Sequence, residues 1–339
     1  MITEIAVIGY PSLCGGADTE LLDQLKIWSM LGIKTHIIPT NRCKNRIDIS
    51  DLNTVIHKPF DFSSCSGLHT ISFCNPAFLI FSNTIKRYAR STSWVNCMTF
   101  NWKNELEAHE RGDIDFFLYQ TKHQYEKLAG HLIKINSNYV PFKFVPYFDN
   151  SKFPYIESNE RDYSKLHFGR ISRADLSKFS KDQFEIYYKC NVEKQGIVLG
   201  WKSEFKRCFR SDFLNGSDCS FYFEGGISQQ QFFKETNVLS MSTSTFENLP
   251  RTGFEALASG TVLVVDNRGG WKLQVDHKKT GILCNNKNDF IEAMNYLYKN
   301  PEVCKEYARN ARAKLEAEFS FKRSASSWLT FFEGINKLK

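Results

Sequence analysis

Two glutamates, Glu247 and Glu255, lie eight positions apart in the second half of the 339-residue chain. Glu247 follows the Ser/Thr-rich end of an apolar strand segment, and Glu255 lies in the helix predicted next. Carboxylates accept hydrogen bonds from hydroxyl groups, so the two residues suit a sugar or a ribose. The amides of Arg251 and Thr252 open the predicted helix, where they could face an anion.

Glu255 also has a purely structural interpretation. The sequence from Thr252 to Glu255 fits the S/T-x-x-E capping box, in which the glutamate accepts a hydrogen bond from the N-cap amide. Glu247 precedes Pro250 and fits no such cap. We therefore favour ligand binding for Glu247 and leave both interpretations of Glu255 open.

Two loops that follow predicted strands could hold phosphate groups. Arg170, Arg173 and Lys178 could clamp a diphosphate, with a solvated basic loop as the alternative. Gly15 and Gly16 separate the first strand from the first helix, where their amides could approach a phosphate, with a tight turn as the alternative. This turn has neither the GK[ST] of a Walker loop nor the GxGxxG spacing.

An ordered set of motifs runs through residues 225–281. After the two glutamates come ALASG at 256–260, an apolar strand at 262–265, the pair Gly269-Gly270, and TGIL at 280–283. This set resembles the E-x7-E-A-x-A-x-G, strand, G-G, t-G-l-l pattern of glycosyltransferase family 4. These are retaining enzymes, also called glycosyl transferases group 1, and their architecture is GT-B.

The resemblance assigns roles by position. It implies that Glu247 contacts the hydroxyls of the transferred sugar, and that Glu255 holds the ribose hydroxyls of the nucleotide. Arg170 and Lys178 would neutralise the diphosphate. The other substrate-binding residues that it implies are Gly15, Gly16, Ile227, Asn248, Leu249, Arg251 and Thr252. Ile227 stands where the family's backbone meets the base.

Two of the departures from the family pattern bear directly on the candidate residues. The family often has a histidine at the end of the strand that we predict over 95–100, and here Asn101 and Trp102 stand there instead. We take Asn101 as a candidate catalytic residue that orients an acceptor or sugar hydroxyl. Eight positions separate Arg170 from Lys178, and Arg173 lies five before that lysine, so the choice of arginine stays open.

Metal and nucleic-acid binding are not expected. Asp113-Ile-Asp115 matches the DxD metal motif of the other glycosyltransferase architecture, but it precedes a predicted strand in the middle of a domain. No CxxC pair or His-Cys cluster has zinc spacing. No helix-turn-helix, zinc-finger or RNP pattern is present in the sequence. We therefore expect no cofactor besides a nucleotide-sugar co-substrate, UDP-linked, and no metal.

Short apolar segments alternate with amphipathic ones, which predicts parallel βαβ units. We expect strands at 5–8, 35–39, 70–73, 95–100, 116–119, 144–146, 166–169, 196–200, 221–223, 238–241, 262–265 and 281–283. With the resemblance, the predicted fold is α/β of GT-B type, with two Rossmann-like doubly wound domains facing a central cleft. Residues 1–155 form the acceptor-side domain, 156–319 the nucleotide-sugar domain, and 320–339 a helix that packs back on the first domain.

The composition is that of a soluble globular chain, with 42% hydrophobic and 24% charged residues and a net charge of +7. The charge favours an anionic partner. Ten scattered cysteines indicate reduced thiols. We find no signal peptide and no membrane-spanning run, and we expect a cytoplasmic protein. The basic stretch 86–90 could contact a membrane or a lipid-linked acceptor, with a solvated face as the alternative.

The sequence thus predicts a metal-independent retaining glycosyltransferase. The expected reaction moves glucose from UDP-glucose to a glycan or lipid-linked acceptor of cell-surface polysaccharide synthesis. One alternative is a protein that binds a nucleotide sugar or a glycan without turnover. Another is a GT-B sugar phosphorylase or nucleotide-sugar epimerase.

Overall fold

The computed structural model describes residues 2–12, 15–40 and 47–337. Its strands are β1 Glu4–Ile8, β2 Lys34–Ile38, β3 Thr54–Ile56, β4 His69–Phe73, β5 Ser91–Val95, β6 Phe116–Tyr119, β7 Pro141–Lys143, β8 Leu166–Ile171, β9 Lys194–Leu199, β10 Cys219–Tyr222, β11 Val238–Met241, β12 Val262–Asp266 and β13 Gly281–Cys284. Its α-helices are α1 Gly16–Met30, α2 Pro76–Ile80, α3 Ser82–Tyr88, α4 Lys103–Glu110, α5 Lys122–Ile135, α6 Gln183–Lys189, α7 Ser211–Asn215, α8 Gln229–Lys234, α9 Arg251–Ser259, α10 Trp271–Gln274, α11 Lys287–Lys299, α12 Pro301–Glu318 and α13 Phe321–Lys337.

The chain divides into two compact units. The first unit contains Met1–Phe148 and Phe319–Lys339, and the second contains Asp149–Glu318. The boundary therefore falls seven residues before the predicted one at 155/156. It lies where the apolar segment Phe144–Phe148 gives way to the polar stretch that begins at Asp149.

The first unit is built on a seven-stranded parallel sheet with the order β3-β2-β1-β4-β5-β6-β7. The strand order reverses between β1 and β4. Strands β2 and β3 are added on one side of β1, and strands β4 to β7 are added on the other side. Ile5, Val7, Ile71 and Val95 are fully buried in its core, which explains the short apolar runs of the sequence.

Helix α13 returns from the second unit and packs on the first. Its apolar side chains recur at helical spacing, and Trp328, Phe331 and Ile335 are buried. The Trp328 indole Nε1 donates a hydrogen bond of 2.6 Å to the Gln24 side-chain oxygen on α1. The predicted return of the C-terminal helix to the first domain agrees with this packing.

The second unit has a six-stranded parallel sheet with the order β10-β9-β8-β11-β12-β13. Here the order reverses between β8 and β11, which pair in register Val238↔Phe168 and Leu239↔Gly169. In open parallel sheets a crevice for ligands lies beyond the carboxyl ends of the strands at this switch point. The predicted α/β fold of two doubly wound domains is confirmed, each unit having its own switch point.

Three details of the strand predictions are wrong. The strand expected at 95–100 lies at 91–95 instead, as β5. It ends at Val95 because the Asn96 side chain holds the following loop: it donates to the Phe100 carbonyl at 3.0 Å and to Glu105 Oε2 at 2.9 Å. The strand expected at 144–146 lies at 141–143 instead. The edge strand β3 was not predicted, since three residues are too short for a periodicity to be seen.

The eight described cysteines are free thiols, and Cys65, Cys190, Cys284 and Cys304 are buried. Cys14 and Cys43 lie outside the described residues, as does part of the Gly9–Asp18 turn. Within the described ranges, no helix has both the length and the apolar character needed to cross a membrane.

Candidate functional site

Two loops meet at the switch point of the second unit, and each carries a predicted site residue. Residues 172–180 follow β8, and residues 242–250 follow β11. Lys178 on the first loop and Glu247 on the second form an ion pair, with 2.7 Å between Nζ and Oε1. Their side chains are 22% and 14% exposed, so both are largely buried but still reach solvent. The structure therefore brings together two residues that lie 69 positions apart in the sequence.

The two loops are fastened to each other through their backbones. The Ser244 hydroxyl donates to the Phe179 carbonyl at 2.6 Å, and the Ser180 amide donates to the Ser242 carbonyl at 3.1 Å. Arg170 Nη2 donates to the Lys178 carbonyl at 2.5 Å. These bonds hold the position of Lys178 relative to the strand end that leads to Glu247.

Arg170 is fully buried at the end of β8. Its guanidinium carbon lies 3.5 Å from the centre of the Phe179 ring, and Nη1 lies 3.2 Å from the Ser172 hydroxyl. Burial lowers the pKa of the Arg170 guanidinium to about 10, and the carboxylates of Glu247 and Asp266 act against that shift. Its Nε has no hydrogen-bond partner among the residues that the structure describes. Arg170 is thus a charged support beneath the site, whereas Arg173 is exposed.

A turn after β12 fixes the loop that carries Glu247, and sequence reasoning did not single out its charged residues. Asp266 accepts hydrogen bonds from the Thr243 amide at 2.9 Å and from its hydroxyl at 2.8 Å. Arg268 donates to the Thr243 carbonyl and lies 4.8 Å from the centre of the Phe246 ring. The signal in the sequence is a polar segment directly after the apolar strand β12, the same signal that marked Glu247 after β11.

The Gly269-Gly270 pair lies directly against this loop. The Gly270 amide donates to the Glu247 carbonyl at 2.8 Å, and a β-carbon on Gly270 would overlap the Asn248 carbonyl oxygen. The sequence motif therefore has a steric basis, since only glycine permits this approach.

Replacing Gly270 with alanine should push the loop of Glu247 out of place. We expect a loss of about 1–3 kcal/mol in unfolding free energy, as in other overpacked sites, together with a loss of activity. Gly130 in helix α5 is a matched control, since a β-carbon there has open space. G130A should be neutral or stabilising by about 0.5–1 kcal/mol. Urea unfolding of both variants checks this, and equal stability of G270A and G130A would contradict it.

Glu255 lies on α9 and is 9% exposed. Burial raises the pKa of its carboxyl to about 7, and Arg251 partly offsets this. Its Oε2 accepts a long hydrogen bond of 3.5 Å from the side-chain amide Nε2 of Gln229, at the start of α8. Helix α9 begins at Arg251 with Pro250 as its N-cap residue, and no described side chain caps it. The capping-box interpretation is therefore wrong, because Glu255 lies beyond the first turn.

The remaining predicted residues of the second unit lie near the two carboxylates along the chain. Ile227 is half-buried, in the turn just before Gln229. Asn248 is buried, while Leu249 and Thr252 are half-buried on the same loop and helix start as Glu247. Asn248, Leu249 and Thr252 thus lie between the end of β11 and the first turn of α9, whereas Ile227 precedes α8.

Three predicted residues belong to the first unit. Gly15 is the N-cap residue of α1, and Gly16 is the first residue of that helix. The Ser12 hydroxyl donates to Asp18 in the first turn, so this helix start already holds a carboxylate. Asn101 is half-buried beside Glu105, whose pKa burial raises to about 7 and whose Oε2 accepts the Trp102 amide at 3.0 Å.

The two aspartates of the DxD sequence have structural partners. Asp113 accepts from Ser82 at 2.8 Å and pairs with Arg111, while Asp115 pairs with Lys86 at 2.5 Å. Across the described part of the chain, no group of three or more His, Cys, Asp or Glu side chains has a geometry suited to a metal ion.

Sequence comparison places a known family on the second unit. Residues 189–314 match the family model described as glycosyl transferases group 1. YtcC of Bacillus subtilis, provisionally named a glycosyltransferase, is 31% identical over 106 residues, covering 30% of this chain and 26% of that protein. Trehalose synthase of Pyrococcus horikoshii is 26% identical over 197 residues, covering 53% of this chain and 46% of that protein. The chain thus aligns with about a quarter to about half of the length of these relatives.

Structure comparison covers nearly the whole chain. HepE of Anabaena, crystallised in complex with UDP and glucose, matches with a TM-score of 0.77 at 12% identity, over 98% of this chain and 100% of that chain. A second HepE crystal structure, in complex with UDP-glucose, matches with a TM-score of 0.72 at 12% identity, over 97% and 99%. At this identity the likeness bears on the fold alone, and it confirms two Rossmann-like domains of the GT-B kind. The second unit therefore carries a region that matches glycosyl transferases group 1, which supports a transferase enzyme.

Proposed function

We propose that the protein transfers a sugar from a nucleotide sugar to a hydroxyl of a glycan or lipid-linked glycan, with retention of the anomeric configuration. UDP-glucose is the donor we expect. The family match over residues 189–314 supports the reaction type, and the HepE complexes with UDP and UDP-glucose support the choice of donor. No metal ion or other cofactor enters the proposal.

One observation carries this proposal above the others. A cation and a carboxylate, Lys178 and Glu247, face each other at 2.7 Å at the switch point of the second unit. A nucleotide sugar offers a partner to each, since its diphosphate is anionic and its sugar hydroxyls are hydrogen-bond donors. Glu255 lies on the adjacent helix, where it can accept hydrogen bonds from a ribose.

Each part of the donor then meets a group of matching chemistry. We assign the sugar hydroxyls to Glu247, the ribose hydroxyls to Glu255, and the diphosphate to Lys178. The base meets the backbone at Ile227. The amides near Arg251 and Thr252 add the partial positive charge of a helix N-terminus. Arg170 is buried beneath the site and does not contact the diphosphate directly. It holds the Lys178 carbonyl by a hydrogen bond and adds its positive charge beneath the site. The roles of Gly15, Gly16 and Asn101 on the first unit remain predictions.

The chemical step follows from these assignments. The bond between the anomeric carbon and the diphosphate oxygen breaks, and negative charge grows on that leaving oxygen. Lys178 and Arg170 offset this charge. Preorganised electrostatic stabilisation of this kind is usually the largest single contribution to an enzyme's rate enhancement. The acceptor hydroxyl attacks the same face of the sugar, and its proton passes to the leaving phosphate. The products are the glycosylated acceptor and a nucleoside diphosphate.

The acceptor and the cellular location are proposals from sequence chemistry. We propose a cytoplasmic protein that touches the membrane face peripherally when its acceptor is lipid-linked. Ile80 and Phe81 are 60% and 39% exposed on the first unit, next to the basic helix α3. Apolar side chains beside basic ones are typical of peripheral contact with anionic lipids.

A turnover assay tests the proposed function. The purified chain is incubated with UDP-glucose, with and without glycan acceptors, and release of UDP is followed. We expect release that Lys178→Met lowers by about 100-fold or more, by the scale of losing one preorganised group. Binding without release from any common nucleotide sugar would favour a non-catalytic binding protein. Dependence on phosphate, or interconversion of free nucleotide sugars, would favour a phosphorylase or an epimerase.

A further inference from the structure

We propose that the Lys178–Glu247 ion pair makes the site discriminate between a nucleotide sugar and the free nucleoside diphosphate. Either ligand must separate the pair to reach Lys178, but only the nucleotide sugar gives Glu247 a replacement partner. This inference rests on the proposed function and concerns specificity within the same site.

Lys178 cannot form a full-strength ion pair with a diphosphate and with Glu247 at the same time. Its Nζ lies 2.7 Å from Glu247 Oε1, which is the distance of a charge-assisted hydrogen bond. The loop of Lys178 is held by Arg170 at its carbonyl and by Ser244 at the neighbouring Phe179 carbonyl. The pair therefore separates by rotation of side chains, because the backbone carbonyls of Lys178 and Phe179 are both held.

Glu247 is equally restrained, and among the described residues its carboxylate forms a salt bridge with Lys178 alone, while the charge of buried Arg170 acts on it without a salt bridge. The Gly270 amide fixes its carbonyl, and a β-carbon at Gly269 would overlap that same carbonyl oxygen. Arg268, the cation on the turn after β12, is engaged with the Thr243 carbonyl and the Phe246 ring. A carboxylate that is 14% exposed and loses its partner bears a desolvation penalty.

The two ligands differ in how they meet this penalty. Sugar hydroxyls can donate hydrogen bonds to the Glu247 carboxylate, so a nucleotide sugar satisfies both members of the separated pair. A free nucleoside diphosphate satisfies Lys178 alone and adds negative charge near a carboxylate that has lost its ion pair. Once the sugar has been transferred, Glu247 forms its ion pair with Lys178 again. This weakens the binding of the nucleoside diphosphate product and assists its release.

A double-mutant cycle on ligand binding tests this inference without requiring turnover. Dissociation constants for UDP and UDP-glucose are measured by calorimetry on the full chain and on E247Q, K178M and E247Q/K178M. In E247Q, Lys178 is released, so we expect UDP to bind about tenfold tighter while the preference for UDP-glucose over UDP shrinks by at least that factor. In the K178M background, E247Q should give a clearly smaller gain in UDP affinity, because only the repulsion between the carboxylate and the diphosphate is removed.

A matched control is available on the same unit. Glu185 is 13% exposed and pairs with Lys189 at 2.7 Å and Lys287 at 2.8 Å, so E185Q removes the same charge from a comparable pair. E185Q should leave both dissociation constants unchanged. Unchanged UDP affinity in E247Q, or an equal gain in the K178M background, would overturn the discrimination while leaving the proposed function standing. A wild-type chain that binds neither UDP nor UDP-glucose would overturn both.

Discussion

Replacing Glu247 with alanine is expected to lower the rate of sugar transfer by about 100- to 1,000-fold, the scale of removing one preorganised polar group from a transition state. The affinity for UDP should not fall, because Glu247 is assigned to the sugar and not to the nucleotide. The sugar hydroxyls lie close to the breaking bond, so their hydrogen bonds contribute to the transition state more than to binding of the ground state.

Initial rates and the affinity for UDP are the two measurements needed for this variant. Glu185→Ala provides the control, because Glu185 is equally buried and forms ion pairs of the same length away from the two site loops. Near-wild-type turnover in E247A would remove Glu247 from the sugar site. A parallel loss of UDP affinity would instead show that the whole loop has moved.

Glu255 should make nucleotide binding depend on pH. Burial raises the pKa of this carboxyl to about 7, so it is largely protonated at pH 6 and ionised at pH 8. The ionised form is the better acceptor for two ribose hydroxyls. We expect the affinity for UDP to fall by up to about tenfold per pH unit below 7 and to level off above it.

The comparison with Glu255→Gln isolates this effect. The phosphate of UDP titrates near pH 6 on its own, but it does so equally for both proteins. At pH 8 the variant should bind UDP about 10- to 100-fold more weakly, as expected when a hydrogen bond to a charged group is lost. The ratio of the two affinities should approach one as the pH falls. A ratio that stays constant from pH 5.5 to 8.5 would remove Glu255 from the ribose site.

The same pKa has a consequence for stability without ligand. Because the folded-state pKa lies above the unfolded value, the protonated carboxyl favours the folded state. This contribution is present in full below about pH 4.5 and is lost as the pH rises through about 7. Glu255→Gln should therefore be at least as stable as the wild type at pH 8 in thermal unfolding. A clear drop in melting temperature at that pH would indicate a structural role for the carboxylate.

The fold could be predicted from the sequence because buried parallel strands leave short apolar runs that alternate with helices. Both sheets follow from this pattern, and so does the amphipathic character of α13, whereas its return to the first unit was expected from the family resemblance. Strand ends were harder to predict. The end of β5 depends on Asn96, which bonds to Phe100 and Glu105, and no local pattern predicts that contact.

The contact between Glu247 and Lys178 could not be predicted from the sequence. Glu247 and Lys178 were each assigned to a ligand, yet their ion pair depends on β8 and β11 being neighbours, which sequence spacing does not reveal. The burial of Arg170 against Phe179 depends on how the loop after β8 folds back on its own strand, which residue spacing does not reveal either. Asp266 and Arg268 act by holding a backbone segment, and such positioning residues have no motif of their own.

The central claim is that the second unit binds a nucleotide sugar at the carboxyl ends of β8 and β11. A calorimetric titration of the full chain with UDP-, GDP- and ADP-sugars tests it most directly. The account predicts saturable binding of one molecule per chain for one of these donors, with UDP-glucose the tightest, and a large loss of affinity in K178M but not in E185Q. Absence of binding for all three classes, or binding that K178M leaves unchanged, would contradict it.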